Sequence, residues 1–93
     1  MKVLLVDDEK LARERLRRLL TDVANVEIVG EAGNGVQALE AVAALQPEVL
    51  LLDIRMPGMD GLEVARHLAA LSEAPAVIFC TAYEEHALAA FDV

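Results

Sequence analysis

Apolar residues in this chain fall into short runs separated by helical stripes. The segments Lys2–Val6, Glu27–Glu31, Val49–Asp53 and Ala76–Cys80 are rich in Val, Leu and Ile, and the first, third and fourth are nearly unbroken apolar runs. Strands of a parallel sheet covered on both faces read this way, whereas strands with one wet face alternate apolar and polar positions. Between the runs, Ala12, Leu16, Leu19, Leu20 and Val23 recur at helical spacing. Ala38, Leu39, Val42 and Ala43 do the same after Gly35, and Leu62, Ala65, Leu68 and Ala69 after Gly61. Ala87, Leu88 and Phe91 begin a fourth stripe. Strand and helix alternating at this interval predict right-handed crossovers and an α/β fold, a doubly wound parallel sheet. No linker, low-complexity tract or internal repeat interrupts the pattern.

Composition limits the chain to one domain. With 93 residues, 56% of them hydrophobic, one core can be filled and two cannot. Aromatics make up only 3%, so the core falls to Leu, Val, Ile and Ala. No apolar stretch approaches the roughly 18 residues of a membrane span, which argues against a membrane partner. Met1-Lys2-Val3-Leu4-Leu5 leads straight into an acidic turn without a small-residue cleavage site, and reads as a native start rather than a signal peptide. The single cysteine agrees with a reducing, cytoplasmic setting. The net charge of −8 argues against direct nucleic-acid binding, which requires Lys and Arg to neutralise phosphates. Arg13, Arg15, Arg17 and Arg18 cluster, but within one helical pattern interleaved with Glu14 and apolar positions, as on a solvated helix face.

Candidate chemistry gathers where strands end. The first strand closes on Asp7-Asp8-Glu9 and the third on Asp53. Doubly wound sheets bind ligands outside the carboxyl ends of their strands, where the strand order reverses. If the first and third strands are neighbours, with the second outside the first, that crevice holds Asp7, Asp8 and Asp53 together. Carboxylates so close repel and raise one another's pKa values, and a divalent cation resolves the conflict. All-oxygen ligation by a few carboxylates, with waters completing an octahedron, suits Mg2+. A carboxylate beside such an ion can act as a nucleophile towards a phosphoryl group. Thr81, at the end of the fourth strand, can bring a hydroxyl to the same crevice.

Each residue also has a plainer reading. An Asp after an apolar strand is often a helix N-cap, and Asp8 taken alone fits that role first. Asp60-Gly61-Leu62-Glu63 has the spacing of an N-cap followed by Glu at N3. Met56, Pro57, Gly58 and Gly61 read as turn residues. Cys80 reads as a small core residue, and His67 and His86 as exposed helix residues.

The order of these features is more telling than any one of them. Val3-Leu4-Leu5-Val6-Asp7-Asp8-Glu9, then Leu50 through Gly61 with its Asp53-Ile54-Arg55-Met56-Pro57-Gly58-Met59-Asp60-Gly61 stretch, then Ile78-Phe79-Cys80-Thr81-Ala82, closely resemble receiver domains of two-component response regulators. The resemblance covers residues 1–93. It implies a flavodoxin-like receiver fold with strand order 2-1-3-4, and Asp53 as phosphoacceptor for a sensor histidine kinase. It also implies Asp8 as a direct Mg2+ ligand, Asp7 acting mainly through a metal-bound water, and the backbone carbonyl of Arg55 as a further ligand. Thr81 becomes the switch hydroxyl, with Ala82 the small residue beside it. Glu31-Ala32-Gly33-Asn34-Gly35 matches the usual second strand–helix turn. Leu11 through Leu16 and Phe79 through Phe91 are similar to regulators carrying a LytTR-type DNA-binding output domain, the alginate-biosynthesis-regulator subfamily. Members of the family continue into a fifth strand, ending in a Lys that pairs with the phosphoryl group, and a fifth helix. None of these stands in residues 1–93, nor does an output domain, which implies a C-terminally truncated receiver without a catalytic Lys.

Three functions follow as expectations. The first is a phosphorylation-controlled signalling module that assists its own phosphorylation and is not a turnover enzyme. The second is a protein-interaction module that is not phosphorylated. The third is a Mg2+-dependent phosphohydrolase, opposed by Arg55 standing where such enzymes carry a second acid. A fourth strand left at the sheet edge also predicts self-association through Ala76–Cys80 and the Glu84–Phe91 helix.

Overall fold

The computed structural model describes residues 1–80. The elements run β1 (Lys2–Val6), α1 (Lys10–Thr21), β2 (Glu27–Ala32), α2 (Gly35–Leu45), β3 (Val49–Asp53), α3 (Gly61–Ala69) and β4 (Ala76–Cys80). Three of the four strands have the bounds expected from the apolar runs, and β2 extends one residue further, to Ala32. The sheet is parallel with order β2-β1-β3-β4. Thr81, Ala82, His86 and the expected fourth helix lie outside the described residues. No helix among the described residues is long and apolar enough to cross a membrane.

The order dictates which face each helix covers. The chain moves outward from β1 to β2, then crosses back over β1 to β3 and on to β4. Right-handed crossovers in opposite directions place α1 on one face and α2 with α3 on the other. Burial follows this division. Leu4, Val6, Leu50, Leu52, Ala38, Val42, Val64 and Leu68 form one buried cluster, with Val77 and Phe79 packed against it. The odd positions Val3 and Leu5 point to the opposite face and are also buried, because β1 is central. Each such Val or Leu contributes about 1.5–3 kcal/mol through removal from water.

Away from β1, the α1 face is covered less well. Ile78 is 48% exposed, Leu11 72% and Leu19 66%, and α1 contains no buried residue. The stripe expected on α1 therefore lies against the sheet only through half-buried Ala12, Leu16 and Leu20, and the helix ends before Val23.

The stripe on α3 is rotated from expectation. Gly61, Val64 and Leu68 are buried while Leu62 is 49% exposed and Ala69 is exposed. Positions 61, 64, 65 and 68 form an i, i+3, i+4, i+7 face, so the expected series shared Ala65 and Leu68 with the true one but took the wrong neighbours. Ala43 on α2 is likewise exposed. Met56, read as a turn residue, is buried in the core cluster, its flexible side chain filling the space below the β3–α3 loop.

Candidate functional site

The sheet order creates the site. β1 connects outward on one side and β3 on the other, so a crevice opens between their carboxyl ends, where no crossover covers it. Val6 pairs with Leu52, one residue before the two acidic strand ends. Asp7, Asp8 and Asp53 consequently converge, each offering a carboxylate oxygen within 4.8 Å of the others.

Local hydrogen bonds fix two of the three. Asp7 donates its backbone N–H to the Ala32 carbonyl at 3.1 Å and accepts from the Glu9 N–H at Oδ1, 2.9 Å. Asp53 Oδ1 accepts from the Arg55 N–H at 3.3 Å. Asp8 is not the N-cap of α1. That position belongs to Glu9, whose side chain makes no capping bond, and Asp8 is left exposed with its carboxylate in the cluster. Asp60 does cap α3, accepting the Glu63 N–H at 2.9 Å. Asn34 caps α2 by accepting the Gln37 N–H at 2.8 Å, and Gln37 reciprocates by accepting the Gly33 N–H at 2.9 Å. His67 is exposed on α3, as expected, and Cys80 is half-buried beside the cluster.

The electrostatics record the crowding. Burial, reinforced by the charges of Asp7 and Asp8, pushes the Asp53 carboxyl from 3.8 up to about 6. Asp7 is also raised, by burial first and then by the charges of Asp8 and Glu9. Burial raises the Cys80 thiol, with Asp53 and Asp7 adding to the effect, so it stays neutral. Hard oxygen donors, close spacing and mutual repulsion are together what a small divalent cation relieves, and the triad fits such an ion.

The raised carboxyl has a measurable consequence. Because folding raises the Asp53 pKa from 3.8 to about 6, its protonated form stabilises the fold below about pH 4, and that contribution is lost as pH rises through 6. In metal-free buffer, the stability of wild type relative to Asp53→Asn should fall across this window when followed by chemical denaturation. A constant difference between the two would contradict the burial and repulsion assigned to Asp53.

One residue near the site was read otherwise from sequence. Arg13, expected on a solvated helix face, is only 18% exposed and bonds the Asp7 carbonyl, and Glu31 holds it there. The available signal was the i, i+4 spacing of Arg13 and Arg17 beside an acid at the end of β2.

Comparison with known proteins agrees with this geometry. The family model described as the response regulator receiver domain matches residues 3–92. The chain is 53% identical over 94 residues to the positive alginate biosynthesis regulatory protein of Pseudomonas aeruginosa, covering 100% of this chain and 38% of that protein. It is 50% identical over 92 residues to the transcriptional regulatory protein BtsR of Salmonella typhi, covering 99% and 38%. The chain thus spans 38% of the length of these relatives. Among solved structures, the signal receiver domain of the putative response regulator NarL from Mycobacterium tuberculosis superposes with a TM-score of 0.82 at 39% identity, over 95% of this chain and 75% of that one. The response regulatory domain of protein mrkE from Klebsiella pneumoniae gives 0.82 at 35% identity, over 99% and 75%. An acidic triad at the switch point of a 2-1-3-4 parallel sheet, matched over nearly its whole length by the family model, makes this chain a member of the response regulator receiver domain family.

Proposed function

We propose that this chain is a phosphoacceptor signalling domain in which Asp53 takes a phosphoryl group from the phosphohistidine of a sensor histidine kinase in the cytoplasm. The observation that carries the reading is the convergence of Asp7, Asp8 and Asp53 at the ends of β1 and β3. Asp8 and Asp53 would hold Mg2+ directly, Asp7 through a water, and Arg55 through its backbone carbonyl. When bound, the ion supplies positive charge that offsets the triad and the transferring group. A carboxylate oxygen of Asp53 forms the bond to phosphorus while the phosphorus–nitrogen bond of the donor breaks and the imidazole leaves. The Arg55 N–H on Asp53 Oδ1 orients the nucleophile. By resemblance to the family, Thr81 would supply the switch hydroxyl, with Ala82 the small residue after it. The domain assists this single transfer and does not turn over. In a longer protein it controls a LytTR-type DNA-binding output domain; the names of its relatives, a biosynthesis regulatory protein and a transcriptional regulatory protein, support a regulatory output.

The division of labour among the acids is testable by calorimetric Mg2+ titration. Asp8→Asn removes a charged ligand from a site with few and should weaken binding at least about 10-fold. Asp60→Asn should bind as wild type, since Asn also caps helices. Equal losses in the two variants would refute the assignment.

An interaction-module reading draws on one further observation. Among the described residues β4 forms an edge of the sheet, with Ile78 48% exposed and neither Lys nor Pro within Ala76–Cys80 to guard it. A second copy of this chain would pair along this β4 edge. Sedimentation at high concentration should show dimers, and a monomer throughout would overturn this contact.

A further inference from the structure

Arg13 touches the acidic site from behind. Its Nη1 donates to the backbone carbonyl of Asp7 at 2.6 Å, and its Nε donates to Glu31 Oε1 at 2.9 Å. The other Glu31 oxygen accepts from Arg17, Nε at 3.0 Å and Nη2 at 2.8 Å. Arg17 first and Arg13 with it hold the Glu31 carboxyl below the usual carboxylate range. Exposed ion pairs of this kind contribute little to stability. The bond to Asp7 is different, because it is charge-assisted and joins a helix to the loop that carries two of the three acids.

The Asp7 carbonyl and the Asp8 N–H belong to one planar peptide. Fixing that carbonyl fixes the direction in which the chain leaves β1 towards Asp8. Asp7 is anchored through its N–H to Ala32 and its side chain to Glu9, and the Asp8 carboxylate meets those of Asp7 and Asp53. The Arg13 contact thus constrains the peptide leading into Asp8 from the helix side, and the Glu9 N–H bond to the Asp7 side chain closes the turn beyond it.

We infer that Arg13 is a positioning residue for the acidic site: oriented by Glu31, its guanidinium holds the Asp7–Asp8 peptide so that the Asp8 carboxylate faces Asp53. This rests on reading the triad as a cation site. Arg17, which reaches Glu31 but not Asp7, steadies the pair without setting the site.

Calorimetric titration with magnesium chloride, with thermal denaturation of each variant alongside, tests the inference. Arg13→Gln should weaken Mg2+ binding by about 10-fold, the scale of losses when a partner behind a metal ligand is removed. Arg17→Gln should bind as wild type even if it melts as early as Arg13→Gln. Arg13→Lys should fall between wild type and Arg13→Gln, since one ammonium cannot bridge the carbonyl and Glu31 with a fixed fork. Glu31→Gln should weaken binding alone but add nothing in the Arg13→Gln background, because both act through one contact. Wild-type affinity in Arg13→Gln, or losses that merely track melting temperature across the Arg13 and Arg17 variants, overturns the positioning role while leaving the cation site intact. Failure of the wild type itself to bind Mg2+ overturns the cation site and the inference together.

Discussion

Gly61→Ala should destabilise the protein by about 2–3 kcal/mol, the upper part of the range for overpacking a filled site, and should disturb Mg2+ binding along with it. A methyl group at position 61 would sit 2.2 Å from the Asp53 carbonyl oxygen, 2.8 Å from Ile54 Cα and 3.0 Å from the Asp53 carbonyl carbon. All three are backbone atoms, so no side-chain rotation relieves the clash. The Gly61 N–H also donates to the Ile54 carbonyl at 2.8 Å, pinning α3 against the end of β3. Alanine is favoured over glycine in a helix by about 1 kcal/mol, less than the clash removes. Relief requires either α3 or the Asp53–Ile54 backbone to move, and the second displaces the site. Gly58→Ala provides the contrast. Nothing lies within 4 Å of a methyl there, but φ is +78°, so its loss comes from backbone conformation alone and should leave the metal site untouched. Urea denaturation with and without Mg2+ separates the two. Gly61→Ala as stable as wild type would show that the helix and strand are less tightly joined than their geometry states.

Much of this was legible in the chain. The unbroken runs Val3–Val6 and Val49–Leu52 mark the two central strands, β1 buried on both faces and β3 buried on one and half-buried on the other. Acids at the ends of both runs point to one place once the strands are neighbours, because an apolar strand fixes where its last residue emerges. The Asp60 cap was readable from the Glu three positions later. The Asn34 cap had Gln37 at the same spacing.

What escaped has physical causes. The phase of α3 was misassigned because glycine carries no hydrophobic signal, yet Gly61 lies closest to the sheet and sets the helix rotation, bringing Val64 rather than Leu62 inward. Met56 was hidden within a turn whose other residues, Pro57 and Gly58, are exposed. Asp8 taken alone fitted a cap, but Glu9 is the N-cap of α1 and Asp8 stands in the cluster, where the family resemblance had put it. Arg13 was misread because an arginine among arginines looks solvated. Its partners lie 6 residues back at Asp7 and 18 ahead at Glu31, and only the sheet order brings those together.

Phosphorylation of Asp53 is decided most directly by intact-mass spectrometry of wild type and Asp53→Asn after incubation with a small acyl phosphate and Mg2+. Asn preserves the shape of the side chain but offers an amide in place of the nucleophilic carboxylate. The raised Asp53 carboxyl is ionised above about pH 6 even without a cation, so labelling at neutral pH needs no proton removal. Wild type should gain one phosphoryl group, chelation of Mg2+ should suppress the gain, and Asp53→Asn should gain none. Equal labelling of the two proteins would contradict Asp53 as the acceptor.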